Sequence, residues 1–477
     1  MSFDCDVLIA GGGPTGVTLA LLLAKAGVSV IIAEKAAEIY PLPRAAHLDH
    51  EVMRILQVAG VADDVAQTSR TTGRYDFLTA KGEVLLRFEG SDQIGPGGWP
   101  GANMIHQPSV EAALRAELAK RAPSALRTGW ELKAFDDDGA GVTAQLATPQ
   151  GEQILRARYL VGADGARSPV REACGIVFDD LGFEEPWLVV DTIVQDQTRL
   201  PTANLQICDP ARPTTCVLMG QGRHRWEFML MPGERAEDIS SDASVAQLLE
   251  PWDVKGAVTL ERRAVYIFKA RIAAQWRKGR VLLAGDAAHQ TPPFAGQGMC
   301  SGLRDAMNLA WKLAAVINGT SGALLDSYQT ERGPNLRATI DMAVMMGRTV
   351  CITDPAAAAA RDEAMLAARA AGQSPDGALA YPPIAAGAIL AGAPEAGSYF
   401  PQPVVDLQRL DDLLGVGPWL LTRSDSGRAD LAPFAAVLDD WFAATGAEAV
   451  LVRPDRFVFG TGEAATLRRE WAALLGD

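Results

Sequence analysis

A carboxylate and a glycine-rich turn stand close together in the second half of the chain. Val281–Leu283 lies between glycines, which predicts a short buried strand, and Gly285 with Asp286 leaves a carboxylate at its carboxyl end. Proline and glycine exclude regular structure over 291–298, and a helix begins after Gly298. The unpaired N–H groups and positive dipole end of that helix suit an anion, or a ring that becomes anionic when reduced. The candidate residues of this turn are Pro293, Gly296, Gly298 and Met299.

A second glycine-rich turn lies near the start of the chain. An apolar strand leads into GGGPTG, a helix follows, and a second strand, Val28–Ala33, ends at Glu34. This order is that of a complete dinucleotide-binding βαβ unit: a strand, the G-x-G-x-x-G turn, a helix, a second strand and an acidic residue. In such a unit Glu34 would accept hydrogen bonds from the adenosine ribose. The first glycine makes the tight turn, the second admits the pyrophosphate and the third lets helix and strand pack. The candidate residues here are Gly11, Gly13, Pro14, Thr15, Gly16, Glu34 and Lys35.

A third strand-to-helix corner completes the set. A strand ends in Gly-x-Asp-Gly at Asp164, and Ser168 with Pro169 then opens a helix as its N-cap and first residue. The glycine motif alone does not separate FAD from NAD, but its early position and the distant Gly285–Asp286 pair favour FAD. An ordinary strand–turn–helix corner is the alternative at each place, and the order of the three corners argues against it.

The composition restricts the class of protein. With 477 residues the chain is long enough for two or three domains, and its net charge of −14 argues against a nucleic-acid or anionic-membrane partner. The six cysteines form no C-x-x-C and no zinc-type spacing, so we expect no metal site and a reducing compartment. Because we find neither a signal peptide nor a segment as long as a membrane span, we expect a cytoplasmic protein. The oligomeric state stays open, and a homodimer is compatible with the sequence.

The three corners together resemble the FAD-dependent aromatic hydroxylases, the phenol-type monooxygenases with the p-hydroxybenzoate hydroxylase fold. The likeness rests on GDAAH…PP…GQG and the DAMNLAWKL helix within 285–313, on the Asp-Gly at 164–165, and on Y-x-x-E-R at 328–332. It covers roughly residues 1–350. The implied fold is α/β, with a Rossmann-like FAD-binding domain, an inserted β-sheet substrate domain and a small α/β thioredoxin-like C-terminal domain.

The resemblance also implies a division of the chain. The expected parts are 1–75, 100–180 and 270–350 for the discontinuous FAD-binding domain, 76–99 and 181–269 for the substrate-binding β-sheet domain, 351–400 for a helical connector, and 401–477 for a shortened thioredoxin-like domain. The last part contains no C-x-x-C, so we expect no redox chemistry there.

The family assigns roles to several of the candidate positions. Its aspartate at the place of Asp286 holds the ribityl chain of FAD, and the backbone after the proline pair lies along the isoalloxazine ring. Its aspartate at the place of Asp164 is linked to both FAD and NAD(P)H. Relatives place an arginine like Arg44 near the flavin and its pyrophosphate, and a glutamine like Gln107 in contact with the cofactor. The alternative for Arg44 is a solvated charge in a loop. The alternative for Gln107 is a polar residue that precedes a helix capped by Ser109.

The chemistry must come from a cofactor, because no Ser/His/Asp set, metal cluster or carboxylate pair stands out. The resemblance implies a single-component flavoprotein monooxygenase, in which NAD(P)H reduces FAD and a C4a-hydroperoxyflavin, formed with dioxygen, hydroxylates a phenol. The turn CDPARP at 208–213 and the run FMLMPGE at 228–234 are most similar to hydroxylases of 3-(3-hydroxyphenyl)propionate. That substrate class would be ortho-hydroxylated to a catechol. The sequence identifies no catalytic base, and the candidates are His47, His224 and Tyr266.

Two alternatives stay open. One is another FAD enzyme on the same fold, either a halogenase or a hydroxylase of a polyketide or another phenol; the halogenase signature G-W-x-W-x-I-P is absent. The other is a non-catalytic FAD-fold binding protein, against which the intact glycines, Asp164 and Asp286 argue.

Overall fold

A computed structural model describes residues 2–220, 222–374, 376 and 382–476. These residues form two eight-stranded sheets, helices that cover the first sheet, and a smaller α/β unit at the carboxyl end of the chain. The strands are, in chain order, β1 (Cys5–Ala10), β2 (Val30–Glu34), β3 (His47–Leu48), β4 (Arg70–Thr71), β5 (Arg74–Leu78), β6 (Val84–Glu89), β7 (Asn103–Met104), β8 (Leu126–Thr128), β9 (Glu131–Asp137), β10 (Val142–Thr148), β11 (Gly151–Gly162), β12 (Phe178–Val194), β13 (Asn204–Ile207), β14 (Thr214–Leu218), β15 (Arg223–Met229), β16 (Val258–Ala273), β17 (Arg277–Lys278), β18 (Val281–Leu283), β19 (His289–Gln290), β20 (Val404–Val405), β21 (Gln408–Arg409), β22 (Trp419–Thr422), β23 (Ala449–Val452) and β24 (Val458–Gly462).

Helices connect and flank these strands. They are α1 (Pro14–Lys25), α2 (His50–Ala59), α3 (Ala62–Thr68), α4 (Gln107–Arg121), α5 (Pro169–Ala173), α6 (Ala236–Ile239), α7 (Asp242–Leu249), α8 (Gly298–Ile317), α9 (Ser327–Val350), α10 (Pro355–Ala370), α11 (Leu410–Leu414), α12 (Ala435–Thr445) and α13 (Ala464–Leu475). Over the described ranges, no helix combines the length and the apolar character that a bilayer crossing requires.

The first sheet brings the three predicted corners to one edge. Its order is β17-β18-β11-β1-β2-β8, with β10 and β9 added beside β11. β1 runs parallel to β2 and to β11, and β11 runs parallel to β18. Because parallel strands end at the same edge, the turns that carry Gly11, Asp164 and Asp286 become neighbours. The apolar helix α1 packs against α8 and α4 beside this sheet.

The second sheet has two different faces. Its order is β19-β16-β12-β15-β14-β13-β5-β6, and β12 and β16 are long antiparallel strands of 17 and 16 residues. Side chains alternate along a strand. On β15, Trp226 and Phe228 therefore enter a core shared with Ile239 and Val245, while Arg225 and Glu227 face the opposite way.

The predicted cap at Ser168 is confirmed, and the one at Ser109 is wrong. The hairpin around Gly82 forms from β5 and β6, and Ser168 caps α5 by accepting the Arg171 N–H at 2.9 Å. Ser109 is not a cap, because α4 begins earlier and the Ser109 hydroxyl lies 2.9 Å from His106 Nδ1. Val265–Phe268 lies in the middle of β16, and pairing with β12 extends the strand in both directions.

The C-terminal unit is a three-stranded antiparallel sheet with helices on both faces. β22, β23 and β24 pair in that order, so that β23 is the central strand. Trp419 and Phe442 pack on one side of this sheet, and Leu451 and Leu467 pack on the other. The unit therefore has its own small hydrophobic core.

A buried charge cluster joins the C-terminal unit to the rest of the protein. Glu331 of α9 accepts from Arg453 at 2.6 Å and from Asn308 at 2.7 Å, and Lys312 Nζ lies 2.8 Å from it. Arg453 also donates to Asp455. Although burial opposes ionisation, Arg453 and Lys312 lower the pKa of Glu331. A carboxylate with a lowered pKa stabilises the fold above its ordinary pKa, and this contribution disappears as the pH falls through the folded-state value.

Arg453→Met is expected to reduce the free energy of unfolding by about 3–5 kcal/mol, because it leaves buried carboxylates without their partner. The measurement is a thermal or denaturant unfolding curve. Arg428→Met is the matched control, since Arg428 is 47% exposed and its carboxylate partners lie at the surface. Equal stabilities of the two variants would contradict the role assigned to the cluster.

Candidate functional site

A cavity of about 1670 Å³ is lined from both eight-stranded sheets. One end is formed by the turns after β1, β2, β11 and β18, and the other end by the polar face of the second sheet. Ordinary small-molecule sites have volumes of about 300–1,000 Å³. The space is therefore large enough for a dinucleotide and an aromatic ring together.

The glycine-rich turn has the geometry that its motif predicts. Gly11 has φ +105°, and a Cβ there would lie 2.3 Å from the Ala163 carbonyl oxygen. A Cβ on Gly16 would lie 2.1 Å from the Gly11 oxygen, so both positions require glycine. No described atom lies within 4 Å of the place of a Gly13 Cβ, and Gly13 faces the cavity. The N-terminus of α1, which has no acidic residue in its first turn, is thus open to an anion.

Glu34 supports this turn directly. Its carboxylate accepts the Gly12 N–H at 2.6 Å and the Ala36 N–H at 2.7 Å. Glu34 and the neighbouring Lys35 both line the cavity. A carboxylate has about four acceptor positions, so these two bonds leave Glu34 able to accept from ligand hydroxyls as well.

Two residues of α4 hold the loops on either side of the turn. Gln107 Oε1 accepts the N–H groups of Arg44 (3.2 Å) and Ala45 (2.8 Å), and its Nε2 donates to Glu111. Arg115 donates to the Gly12 carbonyl at 2.9 Å and lines the cavity. No local motif marks Arg115, because only the course of α4 along the turn brings it into place.

Two aspartates reach the cavity at the ends of β11 and β18. Asp164 Oδ2 accepts the Val170 N–H at 3.1 Å, while its buried Oδ1 has no hydrogen-bond partner within the described part of the chain. Desolvation by the surrounding protein raises the pKa values of Asp164 and Asp286, although the Asp286 side chain is open to the cavity. A buried acceptor that faces a cavity calls for a donor from a ligand.

A third aspartate fixes the turn that presents Asp286. Asp305 of α8 accepts the Gly285 N–H at 3.0 Å and lies 2.6 Å from His289 Nε2 and 3.0 Å from Arg332 Nε. Burial opposes its ionisation, but these neighbours lower the pKa of Asp305. Tyr328 adds a bond from its hydroxyl to the Leu283 carbonyl. The tyrosine and arginine of the Y-x-x-E-R motif thus stabilise the strand end.

The turn before α8 forms another side of the cavity. Pro293, Gly296, Gly298 and Met299 line it, and α8 starts with no acidic side chain in its first turn. His47 lies opposite, with Nδ1 3.4 Å from the Gly296 oxygen, and burial lowers the pKa of His47. His47 is therefore a neutral imidazole at neutral pH.

The structure brings most of the predicted site residues together. The cavity-lining members are Gly11, Gly13, Pro14, Thr15, Glu34, Lys35, Arg44, Gln107, Asp164, Asp286, Pro293, Gly296, Gly298, Met299, His47 and Tyr266. Gly16 and Gly285 lie behind them and set the turns. His224 is a correction: it shares the buried face of β15 with Trp226, and its Nε2 lies 3.0 Å from Cys216 Sγ, so it does not reach the cavity.

The second sheet contributes a charged wall that the sequence analysis did not identify. Arg225 donates to Asp191 at 2.6 Å, and Arg262 Nε lies 3.5 Å from the same carboxylate. Both arginines also donate to the Pro43 carbonyl, at 2.9 and 2.7 Å. They therefore tie the loop that carries Arg44 to the second sheet.

The outer wall of the cavity is a glycine- and proline-rich loop, 90–101, which we call the cover loop. Gln402 of the C-terminal region donates to the Gly97 carbonyl at 2.6 Å. Arg409 donates to the Gly98 carbonyl at 3.1 Å, and its guanidinium lies 3.6 Å from the centre of the Trp99 ring. The C-terminal region therefore braces the cover loop from outside the cavity.

These features fit FAD. An open helix N-terminus beside Gly13 suits the pyrophosphate, an unpaired oxygen on Asp164 suits a ligand donor, and a second helix N-terminus at Gly298 suits a ring that becomes negative on reduction. The family model described as "FAD binding domain" matches residues 4–343. The chain belongs to this family of FAD-dependent aromatic hydroxylases.

Individual relatives match the sequence of this hydroxylase over nearly its whole length. It is 39% identical to the "Probable NADH-specific resorcinol 4-hydroxylase" of Rhodococcus jostii (strain RHA1), over 99% of this chain and 93% of that one. It is 34% identical to the 3-(3-hydroxy-phenyl)propionate/3-hydroxycinnamic acid hydroxylase of Burkholderia cenocepacia (strain HI2424), over 98% and 96%.

Solved structures agree with the fold. A ternary complex of aklavinone-11 hydroxylase with FAD and aklavinone matches all of both chains, with a TM-score of 0.80 and 29% identity. The model of the HcaD C-terminal domain matches residues 422–477. The hydroxylase fold, FAD and the small C-terminal α/β domain were all expected from the sequence.

Asp286→Ala is expected to raise the Kd for FAD at least tenfold, because a carboxylate acceptor at the strand end is lost and a charge-assisted hydrogen bond is worth about 1.5–3 kcal/mol. The measurement is titration of the apoprotein with FAD, followed by flavin fluorescence. Asp326→Ala is the control, since Asp326 is 73% exposed and pairs with Arg277. An unchanged Kd would contradict a role for Asp286 in holding the cofactor.

Arg409→Ala is expected to increase amide hydrogen exchange in the cover loop about tenfold or more, because it removes both a hydrogen bond and the cover of the Trp99 ring. Mass spectrometry of peptides from 90–101 gives the measurement. Arg468→Ala, an exposed change on α13, is the control. Identical exchange in both variants would show that the C-terminal region does not brace the loop.

Proposed function

We propose that this hydroxylase uses NAD(P)H and dioxygen to hydroxylate a phenol that carries a second substituent meta to its hydroxyl. The sequence favours a 3-(3-hydroxyphenyl)propionate-like acid, ortho-hydroxylated to a catechol. The name of the Burkholderia cenocepacia relative supports this substrate class.

The observation that carries the proposal is the continuity of the cavity. The turns that fit FAD and the polar face of the second sheet line the same space, with Pro293–Ala295 between them. A ring bound against the sheet would therefore meet a ring bound along that turn. This arrangement suits transfer of an oxygen atom between two bound rings.

The protein's own contribution is position, charge and exclusion of water. FAD, when bound, supplies the electron transfer and the activation of dioxygen at C4a. The N-terminus of α8 would stabilise negative charge on the reduced ring, and Asp164 and Asp286 would accept hydrogen bonds from cofactor hydroxyls. The cover loop and the second sheet keep the reacting end away from bulk solvent, which protects a reactive oxygen species from decay.

Resorcinol is a second candidate substrate. It is also a meta-substituted phenol, and the Rhodococcus jostii relative that bears its name covers nearly the whole chain. The charge of the wall favours resorcinol, which has no carboxylate. Arg225 and Arg262 both pair with Asp191, which leaves less positive charge for the carboxylate of an acid substrate.

The decisive experiment measures NADH and NADPH oxidation with 3-(3-hydroxyphenyl)propionate, resorcinol and simple phenol, together with the product and hydrogen peroxide. We expect one meta-substituted phenol to accelerate oxidation strongly, with little peroxide and a new ring hydroxyl. Acceleration with stoichiometric peroxide would mean that the compound is only an effector. A flavin-containing protein that oxidises neither nicotinamide with any phenol would contradict the proposal and favour the non-catalytic alternative.

A further inference from the structure

Glu227 lies in the middle of the wall that the second sheet presents to the cavity. It pairs with Val189 of β12 on one side and with Thr215 of β14 on the other, and Thr215 pairs with Gln206 of β13. All four residues of this row line the cavity. Glu227 is the one ionisable side chain among them.

The neighbours of Glu227 are bonded to each other and not to it. Thr215 Oγ1 donates to Gln206 Oε1 at 2.6 Å, and Gln206 Nε2 donates to the Tyr75 hydroxyl at 2.6 Å. The Tyr75 hydroxyl in turn donates to the Phe294 carbonyl at 2.9 Å, in the turn before α8. This chain of hydrogen bonds runs along the wall toward the cofactor end and leaves the carboxyl group out.

The nearest cation is committed elsewhere. Arg225 uses Nε and Nη2 for Asp191, Nη2 also for Pro43, and Nη1 for the Arg44 carbonyl at 2.8 Å. Its Nη1 comes only to 3.6 Å from Glu227, beyond hydrogen-bond distance. Within the described part of the chain, Glu227 therefore accepts no hydrogen bond, although only 4% of the residue is exposed.

A carboxyl group that is largely withdrawn from solvent and faces a cavity without a protein donor is less stable than one that accepts hydrogen bonds. Burial accordingly raises the pKa of Glu227. A donor brought in by a ligand would remove this cost. A phenolic hydroxyl is such a donor, and it is the group shared by both candidate substrates.

We propose that Glu227 accepts a hydrogen bond from the phenolic hydroxyl of the substrate and so fixes which edge of the ring meets the cofactor. This inference rests on the proposed function, because it names the contact made by that substrate. The wall balances two arginines, Arg225 and Arg262, against Asp191 and Glu227, so it offers no surplus positive charge to an acid side chain on the substrate.

The test measures binding to the oxidised holoenzyme, without turnover, through the change that the ligand causes in flavin absorbance. The ligands are the phenol that binds the wild type, either 3-(3-hydroxyphenyl)propionate or resorcinol, and the same compound with every phenolic hydroxyl O-methylated, which retains the oxygens but lacks the donors. The variants are Glu227→Gln, which preserves shape, and Glu227→Ala. Glu261→Gln is the matched control, since Glu261 pairs with Arg223 and does not line the cavity.

We expect the wild type and Glu261→Gln to bind the phenol about 10- to 100-fold more tightly than the ether. Glu227→Gln should reduce this difference to a few-fold, because a neutral acceptor is weaker, and Glu227→Ala should abolish it. FAD content and melting temperature confirm that each variant is intact. If Glu227→Ala fails to fold, the phenol-to-ether ratio of Glu227→Gln still tests the proposal.

Two other results have distinct meanings. An unchanged phenol-to-ether ratio in Glu227→Gln, or an equal loss for both ligands, would overturn the role of Glu227 while the proposed function stands. If neither phenol binds the wild type, the proposed function fails first and this inference fails with it.

Discussion

The buried charges of α8 are the constraint on which the rest of the site depends. Asp305 holds the Gly285 turn and through it the position of Asp286. One residue earlier, Arg304 pairs with Asp49 and Glu51 beside His47. Farther along, Asn308 and Lys312 meet Glu331 at the C-terminal unit. Because isolated buried charges are so unfavourable, each of these pairings fixes the element that supplies the partner.

The cavity combines two kinds of construction. Its cofactor end consists mainly of backbone: turns, helix N-termini and glycines that leave no room for a side chain. Its other end consists of side chains on a sheet, where Val189, Gln206, Thr215 and Glu227 come from four separate strands. The first kind suits a cofactor that does not change, and the second suits a ligand that differs between relatives.

This division explains what the sequence could predict. The cofactor end is encoded in short continuous motifs, so Gly11, Asp164 and Asp286 could each be placed from a few neighbours. The wall depends on which strands pair and on which face of the sheet each side chain points to. His224 and Glu227 differ by an odd number of positions on β15, and that alone puts one in a core and the other in the cavity. The position of Arg115 and the contact of Arg409 with the cover loop depend on packing between segments that are distant in sequence, so no local pattern predicts them.

The bracing of the cover loop has a consequence for how such proteins diversify. The residues that hold this loop, Gln402 and Arg409, do not themselves line the cavity. Substitutions at these two positions can therefore reshape the outer wall of the cavity while every side chain that faces the cofactor end stays the same. The size of the chamber can then differ between relatives that share one set of cofactor turns.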